Sequence, residues 1–283
     1  MVTKRPQIRR ILVTGANGRL GRLLQGAAPA AVPAPVEFLF AARSGPSDLP
    51  AFDAVALPDT LPPADMVIGL WGVTSGSPAA LARNATLATA TQALARATGA
   101  RVALHLSSAG VYGPGEDLSE DSPALAASDY GRAKLRMEAA VAGFAGDGIA
   151  HCCIRLANVV GADSLASGLS GSAPVTLTRF DDGKGPLRSY VAPGHLRGIF
   201  AALSALPAAA LPPVLNVAAP PPVEMEALAR AAGKDVAWKP VTPADRQRVT
   251  LNTARLAALL PDLSLPKTAE DMIADWQQAR ALA

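Results

Sequence analysis

The chain has 283 residues, of which 50% are apolar and 17% are charged, and its net charge is +3. This composition excludes a disordered chain, and 24 glycines and 25 prolines stay below the share, roughly 25–30%, that is typical of low complexity. The only cysteines, Cys152 and Cys153, are adjacent, which suits neither a disulfide framework nor a metal site. The basic residues form no basic helix and do not alternate with aromatic residues, so no nucleic-acid partner is expected.

The longest uncharged stretch, residues 198–223, is long enough to cross a bilayer. Six prolines interrupt it, and a helix does not tolerate that density of missing donors and ring clashes. The N-terminal residues contain no apolar signal core followed by a cleavage site. We therefore expect no membrane partner and a cytoplasmic protein.

Short apolar runs alternate with Ala/Leu-rich helical segments along the first half of the chain. The runs are continuous rather than alternating, which is typical of strands buried on both faces of a parallel sheet. The pattern predicts a doubly wound α/β sheet, a Rossmann architecture, with a small C-terminal substrate lobe. The predicted strands are Ile8–Val13, Glu37–Ala41, Ala54–Leu57, Met66–Trp71, Val102–Leu106, Ala150–Leu156 and Val214–Val217.

The predicted helices and the looser C-terminal sequence suggest how the chain divides. We expect a nucleotide-binding domain over residues 1–161, to which residues 191–218 return, and a substrate lobe built from residues 162–190 and 219–283. The lobe is predicted to contain one short strand, Val236–Pro240. The predicted helices are Gly21–Ala27, Pro78–Thr98, Asp129–Phe144, Val223–Ala232, Thr253–Leu260 and Thr268–Leu282.

A glycine-rich turn follows the first predicted strand. Gly15, Gly18 and Gly21 are spaced three apart between that strand and a helix. Glycines there permit a tight turn and let backbone N–H groups approach a pyrophosphate at the helix N-terminus. No Gly-Lys-Ser/Thr follows, so the turn is not a Walker loop. The turn predicts a dinucleotide cofactor, contacted by Gly15, Asn17, Gly18, Arg19 and Leu20.

The end of the second predicted strand bears on the choice between NAD and NADP. An acid at this position binds the ribose 2′-hydroxyl of NAD, whereas an arginine accommodates the 2′-phosphate of NADP. No acid stands there, and Arg43 follows the strand. We therefore favour NADP and keep NAD as the alternative.

Asp59, after the third predicted strand, is a candidate adenine contact. Leu70, near the end of the fourth predicted strand, and Gly72, directly after that strand, are expected to line the cofactor.

Tyr130 and Lys134 are four residues apart on a predicted helix and so share one face. An ammonium near a phenol favours the phenolate, which lowers the phenol pKa and suits proton transfer near neutral pH. Ser107 and Ser108 follow the Val102–Leu106 strand. A hydroxyl at that strand end would hold a reacting oxygen beside Tyr130.

Together, these motifs resemble those of the extended short-chain dehydrogenase/reductases, also called the NAD(P)-dependent epimerase/dehydratase family. The resemblance covers nearly the whole length. The motifs that carry it are Thr14-Gly15-x-x-Gly18-x-x-Gly21, Ser107-Ser108-x-x-Val111-Tyr112-Gly113, Tyr130-x-x-x-Lys134, Arg155-Leu-Ala-Asn158-Val-Val-Gly161 and Asn84 in the helix after the fourth strand.

The resemblance implies roles for individual residues. Ser108 would orient the substrate oxygen, Tyr130 would be the catalytic acid/base, and Lys134 would bind the nicotinamide ribose and lower the Tyr130 pKa. The residues expected to contact substrate are Thr74, Ser75, Asn158 and Arg188. No metal is implied.

Departures from the family pattern narrow the expected reaction. Ser108 is followed by Ala109-Gly110, whereas the family's sugar-nucleotide 4,6-dehydratases carry Asp-Glu after the catalytic residue. The short C-terminal lobe favours a small substrate. We expect an NAD(P)-dependent oxidoreductase of a sugar-like or other small hydroxy or carbonyl compound. The alternatives are a sugar or nucleotide-sugar epimerase that retains its cofactor and a non-enzymatic NADP-sensing protein.

The family also suggests a homodimer formed through Leu81–Ala97 and Leu135–Phe144.

Overall fold

The computed structural model describes residues 8–28 and 35–283. Its strands are β1 (Arg9–Thr14), β2 (Val36–Ala41), β3 (Met66–Gly69), β4 (Val102–Leu106), β5 (Gly115–Leu118), β6 (Ala150–Leu156), β7 (Asn158–Val159), β8 (Val175–Arg179), β9 (Leu187–Val191), β10 (Val214–Val217), β11 (Ala219–Glu224), β12 (Val236–Pro240) and β13 (Arg248–Leu251). Its α-helices are α1 (Arg19–Gly26), α2 (Pro78–Thr98), α3 (Asp129–Ala142), α4 (Ala166–Ser170), α5 (Pro193–Ala205), α6 (Met225–Ala231), α7 (Ala254–Leu259) and α8 (Ala269–Ala281).

The main sheet has six parallel strands in the order β10-β6-β4-β3-β1-β2. Apolar side chains cover both of its faces. Ile11, Ile68 and Leu104 belong to one core cluster that includes helix α5. Leu12 and Val67 belong to another cluster with helix α2. The predicted doubly wound α/β sheet is therefore confirmed, and burial on both faces explains why its strands read as continuous apolar runs.

The predicted strand Ala54–Leu57 is wrong. Residues 42–65 contain no strand, and Val55 is 89% exposed. Instead, the segment after β2 folds back on that strand, where the Phe52 N–H donates to the Ala42 carbonyl at 3.1 Å and the Asp48 N–H to the Phe40 carbonyl at 2.9 Å. A four-residue apolar run between prolines does not form a strand unless a neighbouring strand pairs with it.

The other strands form two smaller sheets. One follows the order β11-β9-β13-β5, with β7 added beside β9, and the other pairs β12 with β8. The predicted strand Val236–Pro240 is confirmed as β12. The N-terminal part of the predicted helix Val223–Ala232 is wrong, because β11 continues to Glu224 before α6 begins at Met225.

The uncharged stretch of residues 198–223 is divided among several elements. It begins within α5, continues through β10 and ends in β11. Across the described ranges, no helix is both long enough and apolar enough to cross a membrane.

Candidate active site

The site lies where the strand order of the main sheet reverses, at the carboxyl ends of β1 and β3. Strand β2 pairs with one side of β1, and β3 pairs with the other. Ligands of such sheets bind at this point. A first cavity of about 400 Å³ and a second of about 800 Å³ open there. Both are lined by Gly15, Gly18, Leu70 and Gly72, so a long ligand would cross the glycine-rich turn to fill both.

The glycine-rich turn can approach a ligand closely because two of its positions exclude a side chain. Gly15 has a φ of +74°, and a Cβ there would lie 3.0 Å from the Trp71 nitrogen. A Cβ on Gly21 would lie 2.3 Å from the Gly15 carbonyl oxygen. Helix α1 begins directly after Gly18, and no side chain caps its first N–H groups. Uncapped N–H groups at a helix N-terminus suit a phosphate.

The first cavity has apolar walls and a charged rim. Phe52, Val55, Trp71 and Leu87 supply the apolar surface, which suits a purine ring. The Trp71 indole N–H donates to the Leu87 carbonyl at 3.1 Å, so that wall is fixed. Arg43 also lines this cavity.

The candidate adenine contact Asp59 lies outside the first cavity, which Asp53 lines instead. The Asp53 carboxylate accepts from the N–H groups of Val55 and Ala56 at 2.8 and 3.1 Å. These two bonds are the main reason that its pKa lies below the usual value. The position of Asp59 was inferred from a strand that does not form.

Ser108 and Tyr130 are brought together by a close approach at Gly131, a position that has no room for a side chain. A Cβ on Gly131 would lie 2.3 Å from the Gly110 carbonyl oxygen. The first turn of α3 therefore packs directly against the turn that follows β4. A Cβ on Gly110 would lie 3.4 Å from the Ser108 Oγ and 4.0 Å from the Tyr130 Cδ1. Both side chains line the second cavity.

Lys134 is buried one turn further along α3. Its Nζ donates to the Leu106 carbonyl at 2.6 Å and lies 5.7 Å from the centre of the Tyr130 ring. Burial lowers the pKa of Lys134 to about 8, while Cys153 and Glu138 oppose the shift. A Cβ on Gly72 would lie 3.5 Å from this Nζ and 3.4 Å from the Asn84 Oδ1. A side chain at position 72 would therefore lie in van der Waals contact with the ammonium, which lines the second cavity.

The pKa of Tyr130 differs from the sequence-based expectation. We expected Lys134 to lower it, but burial raises the pKa of Tyr130, and only the hydrogen bond with Ser108 opposes this shift. The Lys134 ammonium is engaged by the Leu106 carbonyl and faces the phenol ring rather than bonding its hydroxyl. In the protein alone, Tyr130 is therefore a neutral phenol at physiological pH.

The four expected substrate contacts are not all placed at the second cavity. Thr74 and Asn158 line it. Ser75 and Arg188 do not. The Arg188 guanidinium donates to the backbone carbonyls of Leu187, Arg246 and Gln247 at 2.8, 2.5 and 2.7 Å. The Arg188 guanidinium therefore connects β9, by hydrogen bonds, to the segment that leads into β13.

Sequence reasoning missed an acidic residue of the second cavity, Asp163. Its carboxylate accepts from the buried Tyr190 hydroxyl at 2.8 Å. Its carbonyl and that of Ala162 both accept from the Arg19 guanidinium at 3.2 Å. Asp163 stands two residues after the Arg155–Gly161 motif in a Ser/Gly-rich loop, and only its closeness to that motif pointed to it. Arg19 thus links the glycine-rich turn to the far wall of the cavity.

We expect Asp163→Asn to flatten the dependence of stability on pH. Burial raises the pKa of Asp163 from 3.8 to about 6. The raised pKa means that the folded state binds the proton more tightly, so this stabilisation is present below about pH 4 and is lost as the pH rises through about 6. Partial exposure reduces the effect, and the wild type should lose on the order of 2 kcal/mol more than the variant between about pH 4 and 7.

Urea unfolding at a series of pH values measures this difference. Asp59→Asn, which removes an exposed carboxylate, serves as the matched control and should follow the wild type. Parallel curves for the wild type and Asp163→Asn would show that Asp163 titrates alike in the folded and unfolded chains.

Residues 11–195 match the profile of the NAD dependent epimerase/dehydratase family. This match includes the glycine-rich turn, Ser108, Tyr130, Lys134 and Asn158. A search of curated protein sequences gives no significant match.

Solved structures share the fold over almost the whole chain. Their sequence identities are so low that the similarity shows the fold alone. The UDP-glucose 4-epimerase of Bifidobacterium longum, in complex with NAD⁺ and UDP, is 18% identical with a TM-score of 0.70, covering 96% of this chain and 98% of that one. The NAD-dependent NDP-hexosamine 5,6-dehydratase TunA is 19% identical with a TM-score of 0.71, covering 96% and 98%. RMD from Pseudomonas aeruginosa, complexed with NADPH, is 20% identical with a TM-score of 0.68, covering 96% and 99%.

Proposed function

Because the chain belongs to the NAD dependent epimerase/dehydratase family, we propose that it is an NADP(H)-dependent oxidoreductase of a small, sugar-like hydroxy or carbonyl compound. The observation that carries the proposal is the convergence of Ser108, Tyr130 and Lys134 on one cavity that adjoins the glycine-rich turn. The two adjoining cavities suit a dinucleotide that extends from Arg43 to Lys134.

The proposed mechanism assigns each group a task at the substrate oxygen. Ser108 orients that oxygen, and Tyr130 gives it a proton during reduction or takes one during oxidation. Lys134 would hold the ribose hydroxyls, and its ammonium, which is charged below its pKa of about 8, faces the Tyr130 ring. When bound, the nicotinamide supplies or accepts the hydride.

The polar groups that line the second cavity support a hydroxyl-rich substrate. Thr74 and Asn158 offer hydroxyl and amide groups to the second cavity, and Asp163 offers a carboxylate. Hydroxyl-rich substrates match such a set, since each of these groups accepts a hydrogen bond from a hydroxyl. Ser75 and Arg188 remain proposed contacts, reached only if the substrate extends beyond this cavity.

The second candidate function is epimerisation with a retained cofactor. The observation that favours it is that the solved structures sharing this fold include a UDP-glucose 4-epimerase in complex with NAD⁺ and UDP. Dehydration is disfavoured, because the Ala109-Gly110 sequence after Ser108 provides no acid or base.

A cofactor assay separates the two functions. The purified protein is mixed with NADP(H) and a panel of aldoses, uronates and small ketones, and absorbance is followed at about 340 nm, where the reduced nicotinamide absorbs. Net oxidation or reduction of one compound is the expected result. Tightly retained cofactor, together with interconversion of sugar epimers and no net change at this wavelength, would replace the oxidoreductase with the epimerase. Cofactor binding without turnover of any compound would favour the NADP-sensing protein.

The remaining proposals concern organisation. We retain the nucleotide-binding domain of residues 1–161 and 191–218, supported by the place of β10 beside β6, and the lobe of residues 162–190 and 219–283. We also retain a cytoplasmic location and a homodimer. Close packing of α2 against α3 presents the two helices side by side, as such a dimer requires.

A further inference from the structure

A second arginine, Arg83, lines the first cavity together with Arg43. Arg83 lies in the second turn of α2, and Leu87, four residues later on the same helix face, lines the same cavity. Arg43 approaches from the end of β2. The two arginines therefore line this cavity from two separate segments, the helix α2 and the turn after β2.

Neither arginine has a partner among the described residues. Hydrogen bonds and ion pairs within residues 8–28 and 35–283 engage many other arginines, but not the guanidinium of Arg43 or Arg83. Asp53 is the one acidic residue of the described lining, and both arginines help to lower its pKa after its two backbone bonds. The rim thus has two positive charges and one negative charge, an excess that attracts an anion.

The backbone on both sides of this cavity is held in place. Asn17 donates to the Ser44 carbonyl, and the Asp48 carboxylate accepts from the Phe40 N–H at 2.7 Å. These bonds fix the turn after β2 that carries Arg43. Near Arg83, the Asn84 side chain donates to the Val73 carbonyl at 2.9 Å and accepts from the Val73 N–H at 3.2 Å. These bonds hold the backbone near both arginines before an anion binds.

We propose that Arg83 is a second cofactor-specificity residue, which binds the 2′-phosphate of NADP together with Arg43. A phosphate monoester carries close to two negative charges near neutral pH and accepts several hydrogen bonds, so two guanidinium groups match it in charge and geometry. The inference rests on the proposed function in one respect, namely that the adenosine part of the cofactor occupies the first cavity.

The test compares two ligands that differ by one phosphate group. Adenosine 2′,5′-bisphosphate and 5′-AMP are titrated by calorimetry into the wild type, Arg83→Gln and Arg43→Gln. We expect each variant to bind the bisphosphate about 10-fold or more weakly and to bind 5′-AMP within about 2-fold of the wild type. Arg101→Gln, an exposed arginine at the opposite end of the sheet, is the matched control and should change neither affinity.

Each outcome has a distinct meaning. If the wild type prefers the bisphosphate and Arg83→Gln keeps the same preference, Arg83 does not bind the 2′-phosphate. The role proposed for Arg83 is then wrong, while the proposed function is unaffected. Equal weakening of both ligands would place Arg83 at the adenosine or 5′-phosphate and would also overturn it. If the wild type binds both ligands alike, the proposed NADP preference itself is wrong.

Discussion

Replacing Tyr130 with phenylalanine should lower kcat by about 10³-fold, since general acid–base catalysis contributes roughly 10²- to 10⁴-fold. The substitution removes only the hydroxyl, which is the one group in the mechanism that transfers the proton. The ring remains between Gly110 and Lys134, so cofactor affinity should stay close to that of the wild type, and loss of the hydrogen bond with Ser108 should lower the unfolding free energy by about 1 kcal/mol. Turnover with saturating substrate and cofactor measures the loss, and fluorescence titration of the cofactor verifies that binding persists.

Tyr112→Phe is the matched control for the Tyr130 variant. The Tyr112 hydroxyl donates to the Asn216 side chain at 2.8 Å in a buried position outside both cavities. This change should therefore lower stability by about 1 kcal/mol and leave kcat nearly unchanged. If Tyr130→Phe kept more than a tenth of the wild-type kcat, another group would have to carry the proton.

The features predicted well from sequence depend on neighbours in the chain. The glycine spacing of the turn and the Tyr130–Lys134 spacing are local, and α2 was predicted with its observed bounds, because Ser77, Pro78 and Gly99 mark its ends. The capping bond from the Ala80 N–H to Ser77 and the left-handed conformation of Gly99 explain those signals.

The features that were missed depend on contacts between distant segments. Strand β5 forms because it pairs with β13, more than a hundred residues later, and no apolar run marks either strand. Arg83 gives no signal in the sequence, and Asp163 gives none beyond its closeness to the Arg155–Gly161 motif, until the fold places them on the cavities. The segment Ala54–Leu57 was mispredicted for the converse reason, since it has the composition of a strand but no neighbouring strand pairs with it.

The largest loss of stability should come from Glu138→Ala. Glu138 lies one turn after Lys134 on α3, and its carboxylate accepts from the Arg155 guanidinium at 2.8 and 3.1 Å and from the Ser107 hydroxyl at 2.5 Å. The side chains of Glu138 and Arg155 are 10% and 8% exposed. Removing one partner of a buried pair leaves the other charge uncompensated, so we expect unfolding to become easier by about 3–5 kcal/mol in urea titrations.

A double variant separates the unpaired charge from simple loss of packing. Glu138→Leu with Arg155→Met removes both charges while filling similar space, and it should recover most of the stability that Glu138→Ala loses. Failure to recover would mean that the shape of the pair, not its charge, stabilises this region. Ser107 precedes Ser108, so the loss of its acceptor should also loosen the turn that orients the substrate oxygen. The double variant should therefore regain stability without regaining the full kcat, because neither replacement can accept the hydrogen bond from Ser107.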